Sequence, residues 1–346
     1  RQQIKATQEG FSKEVWQGLA DLGLLALNVP EEEGGVGGGA IETMLMMNAA
    51  GEGLLLEPLL QSAVISTRAI ANIGNEAQRS ELLPALASGE KIAALAHDEP
   101  STRYDRMAIE TRAWPVGNGY VVTGHKNVVV HGATADLLLV SARLTGDDGA
   151  LAIFLVPRDS AGLRIVPYKT VDGIPAAELW LDQVFLPASA MLGSNDAQNA
   201  LEQVLDYGIA ALCAEAVGAL DKLLAATVQY SRDRKQFGQP IGRFQALQHR
   251  MADMLLHIEQ ARSMSYLAAV RCTDTDAQAR RRAISAAKVV IGQACRFVGQ
   301  QAVQLHGGMG VTDELDVSHY FKRLMAIELQ FGNTDYHLEQ YAAQLA

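Results

Sequence analysis

The sequence predicts an α+β chain built from three successive regions. Apolar residues follow a helical period up to about residue 90, form short strand-like runs between 91 and 190, and return to long helical stripes between 191 and 346. Strand-like runs without intervening helices favour an antiparallel barrel or sandwich, and long apolar stripes favour a bundle. We therefore expect an N-terminal helical domain (1–90), a middle β domain (91–190) and a C-terminal bundle domain (191–346).

The first region has helical spacing near both of its ends. Phe11, Val15 and Leu19 recur every four residues, and three leucines within 82–86 repeat the pattern. The glycine-rich run 34–39 lies between these ends. It follows an apolar run and so resembles a dinucleotide-binding loop, but three glutamates precede it and no second strand follows. We expect a flexible surface loop there.

The middle region contains five strand-like runs separated by turn residues. Asn118-Gly119 before the first run is a strong hairpin signal, because both residues tolerate positive φ. The runs are 120–123, 128–130, 137–140, 151–156 and 179–185.

The third region contains two well-marked helices. One extends from Arg243 to Tyr266, and the other begins after Asp276, whose carboxylate can cap a first turn. The apolar stripe of the first is Phe244, Leu247, Met251, Met254, Leu255 and Ile258. We expect His249, Asp253 and His257 to form a solvated face without a metal, and 280–282 (three arginines) to be solvated or at an interface.

Composition narrows the classes of function. The 346 residues are 49% hydrophobic with a formal net charge of −10, which argues against nucleic acid or an anionic membrane as the main partner. Cys213, Cys272 and Cys295 are far apart, as expected for buried thiols in a reducing compartment. No run approaches the roughly 18 apolar residues of a membrane span. We expect a cytoplasmic protein, and the first residue, Arg1, suggests that the natural start is missing.

The run 230–241 (YSRDRKQFGQPI) is the strongest functional signal. Arg234 and Gln236 supply cationic and amide donors, Phe237 supplies an apolar ring, and Gly238 and Pro240 favour a turn. Such a combination suits a cofactor that carries phosphates and rings. A solvated loop with incidental charges is an equal alternative from spacing alone.

A second run, 304–310 (QLHGGMG), follows a long helical segment. Its glycines permit close approach of the backbone to a ligand, and Gln304 offers an amide. An ordinary helix that ends at a glycine is an alternative interpretation of the same residues. The two runs together, in a chain ordered α–β–α, favour a cofactor site.

With these motifs the chain resembles the acyl-CoA dehydrogenase family over nearly its whole length. The similarity rests on 234–241 (RKQFGQPI), 304–308 (QLHGG) and 124–126 (GHK), with support from 21–35. The resemblance implies a helical domain, a β domain and a four-helix bundle, with FAD at a subunit interface. The implied reaction removes a proton from Cα of an acyl-CoA while a hydride leaves Cβ for the flavin.

The resemblance also assigns the cofactor-binding residues. It implies that one run contacts the pyrophosphate and adenosine of an FAD held with a neighbouring subunit, and that the other holds the adenine end. These contacts are Arg234, Gln236, Phe237, Gln245, Gln304, Gly307 and Gly308. All belong to the nucleotide half of FAD, and no metal is implied.

The flavin half departs from the family pattern. Where the family has Thr-Glu-Pro-Gly-x-Gly-Ser-Asp, this chain has DEPSTRYD at 98–105, so both loop glycines are replaced and Arg103 and Tyr104 add bulk. The aromatic residue and threonine that lie against the flavin in the family correspond to Val128 and Val130.

The catalytic base is the largest departure. The family glutamate corresponds to Phe331, and the alternative position used by some members corresponds to Gly208. Neither residue accepts a proton, and loss of general base catalysis costs about 10²–10⁴-fold in rate. Glu328 and Asp335 lie nearby but would need the loop to shift register. No catalytic residue is therefore assigned.

Three functions remain open at this point. The first is the non-base subunit of a heteromeric acyl-CoA dehydrogenase, most similar to the small-subunit class of the pimeloyl-CoA dehydrogenases, which share Arg103-Tyr-Asp105. The alternatives are a self-sufficient homo-oligomer with a relocated base and an inactive acyl-CoA-binding or scaffold homologue. The resemblance implies FAD, an acyl-CoA substrate, an electron-accepting protein and a homo- or hetero-tetramer with a related subunit.

Overall fold

The structure is a computed structural model that describes residues 2–7, 9–146, 149–193 and 197–345. The chain divides into two compact units that do not follow sequence order. The first, unit 1, comprises 1–39 and 56–208, and the second, unit 2, comprises 40–55 and 209–346. Helices precede and follow the strands along the chain, which confirms the predicted fold class.

Ten α-helices and a short π-helix are present among the described residues. The helices are α1 (Gln2–Lys5), α2 (Lys13–Asp21), α3 (Ala40–Glu52), α4 (Thr67–Ile73), α5 (Glu76–Ala87), α6 (Gln198–Asp233), α7 (Gln245–Arg271), α8 (Ala277–His306), α9 (Asp316–Leu329) and α10 (Thr334–Ala343). The π-helix Leu59–Ser66 precedes α4 and is buried along its whole length. None of these helices is long and apolar enough to cross a membrane.

The strands of unit 1 form one seven-stranded sheet. They are β1 (Ala93–Ala96), β2 (Arg112–Val116), β3 (Gly119–Val130), β4 (Leu137–Leu144), β5 (Leu151–Pro157), β6 (Leu163–Lys169) and β7 (Pro175–Pro187). The order is β1-β4-β2-β3-β7-β6, with β5 paired to β4. Because β1 and β2 both pair with β4 in parallel, the sheet is mixed and not wholly antiparallel as expected.

The expected hairpin exists, but its turn lies one residue earlier than the sequence signal indicates. Strands β2 and β3 pair with Val116 opposite Gly119, so the turn consists of Gly117 and Asn118. Gly117 carries the positive φ of 60°. Gly119 is in the strand for a different reason: a side chain there would lie 2.1 Å from the Leu186 carbonyl oxygen.

The glycine-rich run is packed against the chain that precedes it. Val36, Gly37 and Gly38 donate backbone hydrogen bonds to carbonyl oxygens within 26–29. A side chain at Gly35 would lie 2.0 Å from the Val29 carbonyl oxygen. The glycines therefore serve close backbone packing in a run that lies largely at the surface.

Unit 2 is a helical bundle in which α8 packs against α7, α9 and α10. Helix α8 begins as predicted, with the Asp276 carboxylate accepting from the N–H groups of Gln278 and Ala279. On α7 the buried face includes Met254 and Ile258, whereas Leu255 is 48% exposed and was wrongly assigned to the stripe.

Two further expectations concern buried side chains. Arg280, expected at the surface, is only 1% exposed, and its guanidinium donates to the Asp274 carbonyl oxygen at 2.8 Å. Cys213, Cys272 and Cys295 are free and buried, as predicted.

Candidate functional site

The two runs predicted to bind a cofactor, 230–241 and 304–310, lie at the same end of unit 2. The first run continues directly from the last turn of α6, and the second contains the last turn of α8. The Tyr230 ring on α6 stacks on the His306 ring on α8 with 4.2 Å between centroids. The Tyr230 hydroxyl also donates to the His306 carbonyl oxygen at 3.4 Å. The packing of these two helix ends brings the runs together.

The first run forms a small hairpin that presents Phe237. Two short strands pair here, β8 (Lys235–Gln236) and β9 (Gln239–Pro240), with Phe237 and Gly238 in the turn at φ of 53° and 76°. Phe237 is 89% exposed, and its ring meets the Phe244 ring edge-on at 6.1 Å. The hairpin thus holds an apolar ring outward, in a conformation that costs energy for a bulky residue.

The donors around this hairpin are exposed and available to a ligand. The Arg234 side chain makes no hydrogen bond or ion pair within the described part of the chain, and Gln245 and Gln304 are likewise exposed. The sequence 232–243 contains four cationic side chains and a single carboxylate, Asp233. An anionic ligand is therefore favoured at this end of unit 2, although the whole chain is acidic.

The glycines after α8 leave the backbone open. Helix α8 ends at Gly307, which has a φ of 59°. A side chain added at Gly307 or Gly308 would meet no heavy atom within 4 Å, so their space is open to a ligand. Exposed cations, an outward ring and open backbone together fit the nucleotide half of FAD.

The loop in unit 1 that corresponds to the flavin-binding loop is anchored by Glu99. Its carboxylate accepts from the N–H groups of Glu110 (2.6 Å) and Thr111 (3.1 Å), from the Thr111 hydroxyl (2.6 Å) and from Lys126 (2.6 Å). Beyond this anchor, Arg103 adopts a φ of 47° and is exposed. Glycine occupies such a conformation without strain, whereas arginine brings a long side chain to it.

Burial sets the charge states in this anchor. Desolvation lowers the pKa of Lys126 to about 8, and Glu99 opposes that effect. Burial also disfavours the charged form of Glu99, but the Lys126 ammonium ion and the hydrogen bonds keep the pKa of Glu99 below its usual value. Desolvation, together with the Lys126 charge, lowers the pKa of His97 to about 3. Glu99 and Lys126 therefore form an ion pair beside a neutral histidine.

The end of β3 corresponds to the segment that faces the flavin in the family, but it lacks the aromatic ring and the hydroxyl group found there. Val128 is 47% exposed with a φ of 48°, an unusual conformation for a β-branched residue. Neither Val128 nor Val130 has a ring or a hydroxyl. With Arg103 and Tyr104 in place of glycine and serine on the loop, these four positions do not fit the flavin half of FAD.

The two positions that the resemblance assigns to the base, 331 and 208, hold phenylalanine and glycine, which do not accept protons. Phe331, with a φ of 60°, lies in the turn between α9 and α10. Gly208 is buried in α6, and a side chain there would lie 2.9 Å from Ile65 of the π-helix. A carboxylate at Gly208 would therefore require Ile65 to move.

The two nearby carboxylates have other roles. Glu328 is 1% exposed, and one of its oxygens accepts from Arg296 (3.1 Å), from the Thr334 N–H (3.1 Å) and from the Thr334 hydroxyl (2.9 Å). These bonds tie the start of α10 to the end of α9. Asp335 is exposed in the first turn of α10.

Sequence reasoning missed the side chain that holds this turn. Lys288 on α8 is fully buried and donates to three main-chain carbonyl oxygens of the turn and of the end of α9. A charged residue inside the apolar run 283–291 is the signal that could have identified it.

Sequence reasoning also missed an aromatic row beside a cavity of about 1010 Å³ on the sheet of unit 1. Trp180 lies opposite both His125 and Arg164 in the strand register. The His125 and Trp180 rings stack at 3.7 Å, and the Arg164 guanidinium lies 5.2 Å from the Trp180 ring. None of the cofactor-binding residues predicted from the sequence lines this cavity.

Among the described residues, no group of three or more His, Cys, Asp or Glu side chains is arranged to hold a metal.

Comparison with known proteins identifies the family. Models of the N-terminal, middle and C-terminal domains of acyl-CoA dehydrogenases match residues 1–90, 94–184 and 197–346. An L-prolyl-[peptidyl-carrier protein] dehydrogenase of Pseudomonas fluorescens is 30% identical over 97% of this chain and 90% of its own length.

Two solved structures have the same fold. The ChsE4–ChsE5 complex from Mycobacterium tuberculosis matches with a TM-score of 0.90 and 28% identity, over 99% of this chain and 91% of that one. The FAD complex of PigA matches with a TM-score of 0.89 and 28% identity, over 99% and 92%.

The fold and these matches define the class as that of the FAD-dependent oxidoreductases acting on CH–CH bonds. The chain belongs to the acyl-CoA dehydrogenase family.

Proposed function

We propose that this chain is the non-base subunit of a heteromeric acyl-CoA dehydrogenase. The observation that carries the proposal is the absence of a proton acceptor at both positions of the family base, Phe331 and Gly208. Glu328 is held in a buried hydrogen-bond network, which argues against a relocated base. The chain would assemble with a related subunit that carries the base.

In this arrangement the chain contributes contacts to the nucleotide half of a shared FAD. FAD, when bound, accepts the hydride that leaves Cβ of the acyl-CoA. Arg234 would neutralise the phosphates and Phe237 would pack against the adenosine. The open backbone at Gly307 and Gly308 would accommodate the adenine end. Gln236, Gln245 and Gln304 would supply amide hydrogen bonds. The unfavourable lining around Arg103 and Val128 supports placing the flavin against the partner chain.

Two features agree with a heteromer of this kind. The similar ChsE4–ChsE5 structure is a complex of two different chains. The run Arg103-Tyr-Asp105 also resembles the small subunit of the pimeloyl-CoA dehydrogenases, which suggests a dicarboxylyl acyl group. An electron-transfer protein would reoxidise the flavin, and we propose a cytoplasmic location.

A second candidate function concerns the carrier of the acyl group. The similarity to an L-prolyl-[peptidyl-carrier protein] dehydrogenase over 97% of this chain favours a thioester on a carrier protein as an alternative to CoA. Comparing turnover of the assembled complex on the two kinds of thioester separates the candidates. Faster turnover of the carrier-bound thioester would support this second function.

The proposed cofactor contact is tested by replacing Arg234 in the assembled complex. Arg234→Met removes a cation from the hairpin and should lower the flavin retained after gel filtration, with weaker FAD binding by about tenfold or more. Arg232→Met, on the last turn of α6, is the matched control and should retain wild-type flavin. Equal flavin retention by both variants would contradict the assignment of Arg234.

A chain that never associates with a family member and never binds flavin, but still binds acyl-CoA, would instead indicate an inactive homologue. Stoichiometric flavin and turnover in the chain alone would indicate the self-sufficient enzyme. Co-purification with a tagged candidate partner decides between these outcomes and the heteromer.

A further inference from the structure

The cavity of about 1010 Å³ on the sheet of unit 1 has no part in the proposed function. Its lining comes from four consecutive strands, β2, β3, β7 and β6, and from the loop that follows β1. The stacked side chains of Arg164, Trp180 and His125 lie at one level of these strands. Trp114 lies at another level, opposite Val121 and four residues along β3 from His125.

Charged side chains of both signs line the cavity at both of its edges. Glu110 and Arg112 lie at the β2 edge, and Arg164 and Asp182 lie at the edge formed by β6 and β7. Within the described residues, the Arg164 guanidinium and the two carboxylates make no hydrogen bond or ion pair. The Arg112 guanidinium makes one hydrogen bond, to the Ile109 carbonyl oxygen at 2.8 Å. Donors and acceptors are therefore available at both edges.

This lining argues against several classes of ligand. The two guanidinium groups and the two free carboxylates cancel in formal charge, and Glu99 is already paired with Lys126, so neither an anion nor a cation is favoured. A purely apolar ligand would remove water from four charged groups without replacing their hydrogen bonds. A flat aromatic ring finds no open face on Trp180, which lies between His125 (3.7 Å between centroids) and Arg164 (5.2 Å from the ring).

Hydroxyl groups match this lining. A hydroxyl donates one hydrogen bond and accepts others, so it can pair with a carboxylate and a guanidinium at the same time. The C–H face of a sugar ring can pack on an indole, and Trp114 is 42% exposed. The two edges are three strand spacings apart, about 14 Å, which linked sugar rings span and a single ring does not. An α-amino acid, with its two charged groups on one carbon, reaches only one edge.

We propose that this cavity binds a neutral oligosaccharide of at least two rings. Hydroxyl groups near its ends bond to Glu110 and Arg112 at one edge and to Arg164 and Asp182 at the other, and one ring packs against Trp114. Since none of the predicted cofactor contacts lines the cavity, the inference does not depend on the role of this chain in a heteromer.

The test is saturation-transfer difference NMR on the purified full chain, with maltotriose, cellotriose and mannotriose as probes. At least one of these sugars should receive saturation, and its titration gives a Kd. In Trp114→Ala the affinity for that sugar should fall about tenfold, because packing against the indole is lost. Asp182→Asn, at the opposite edge, should also weaken binding severalfold, because a charge-assisted hydrogen bond becomes a neutral one.

Two matched controls locate the site. Phe185→Ala removes a ring that is 53% exposed on the same sheet but outside the lining of the cavity. Asp159→Asn neutralises an exposed carboxylate that precedes β6. Both variants should bind the sugar with wild-type affinity. Circular dichroism shows whether each variant folds, and Asp182→Asn alone still tests the site if Trp114→Ala does not fold.

The inference is overturned if none of the three sugars receives saturation from the wild-type chain. It is also overturned if the folded Trp114 and Asp182 variants keep wild-type affinity, or if the control variants lose as much affinity as they do. AMP and L-proline are measured in parallel. Saturation of either of these, without saturation of any sugar, would identify a nucleotide or zwitterion site and would contradict the assignment of an oligosaccharide.

Discussion

At the scale of the residue, His97 shows how burial controls charge in this protein. It lies beside the Glu99–Lys126 ion pair, and its Nδ1 is 3.0 Å from the Ser141 hydroxyl. Burial and the Lys126 charge lower the pKa of His97 from 6.5 to about 3. Between pH 6.5 and about 3, His97 is therefore neutral in the folded chain and protonated in the unfolded chain.

This shift predicts a loss of stability in acid. As pH falls below 6.5, the unfolded state takes up a proton that the folded state refuses, so the free energy of unfolding decreases until pH approaches 3. Between pH 7 and 5 the histidine should account for roughly 2 kcal/mol. Urea titrations at pH 7 and pH 5 should show a smaller decrease in the free energy of unfolding for His97→Gln than for the wild type.

The matched control is His249→Gln, which replaces an exposed histidine on α7. It should lose as much stability between pH 7 and 5 as the wild type does. A wild-type pH dependence in His97→Gln would show that this histidine does not govern the acid sensitivity.

At the scale of the element, the turn between α9 and α10 depends on a buried carboxylate as well as on Lys288. Glu328 receives three hydrogen bonds through one oxygen, from Arg296 and from Thr334. We therefore expect Glu328→Gln to lower the free energy of unfolding by about 1–3 kcal/mol, because bonds to a charged acceptor are weakened. Urea denaturation of the purified variants measures the change.

Asp335→Asn is the companion variant, and it should change stability by less than about 0.5 kcal/mol because Asp335 is exposed. A Glu328→Gln variant with wild-type stability but no turnover in the assembled complex would identify Glu328 as a base. That outcome would reverse the structural role assigned to it.

The sequence predicts elements well where the pattern is local. Asp276 marks the start of α8 because a carboxylate next to a free helix end has an immediate electrostatic effect. The hairpin between β2 and β3 was predicted with its turn shifted by one residue, because three adjacent residues, 117–119, all tolerate turns. A glycine is needed at 119 for a different reason: a side chain there would clash with the carbonyl oxygen of Leu186, which is distant in sequence.

The roles of two buried cations depend on partners that the local pattern does not reveal. Arg280 belongs to a run of three arginines that resembles a surface cluster, yet it is buried and donates to a main-chain carbonyl oxygen. Lys288 is marked in the sequence by its apolar neighbours, but its carbonyl partners lie about forty residues away. For the candidate site, sequence motifs predict both runs, and the structure places the two runs at one end of unit 2. The Tyr230–His306 stack that brings the runs together joins residues far apart in sequence, so no local pattern predicts it. The roles of the six predicted residues in those runs, and that of Gln245 beyond the first run, remain predictions.

At the scale of the whole molecule, the chain exposes the residues proposed to contact the nucleotide and has no carboxylate at the positions that the resemblance assigns to the base. Arg234 and Phe237 are exposed at one end of unit 2, while Phe331 and Gly208 occupy the positions of the base. A self-sufficient enzyme would need a base on this chain, whereas a subunit of a heteromer would not. We therefore predict that activity appears only on assembly with a related chain that supplies a base.

The most direct measurement is anaerobic bleaching of flavin absorbance by an acyl-CoA, on the purified chain alone and on its complex with the partner. We predict that the chain alone retains little flavin and shows no bleaching. The complex should hold flavin and bleach, and substitution of the partner's base should abolish the bleaching. Stoichiometric flavin on the chain alone, bleached by an acyl-CoA, would contradict the account.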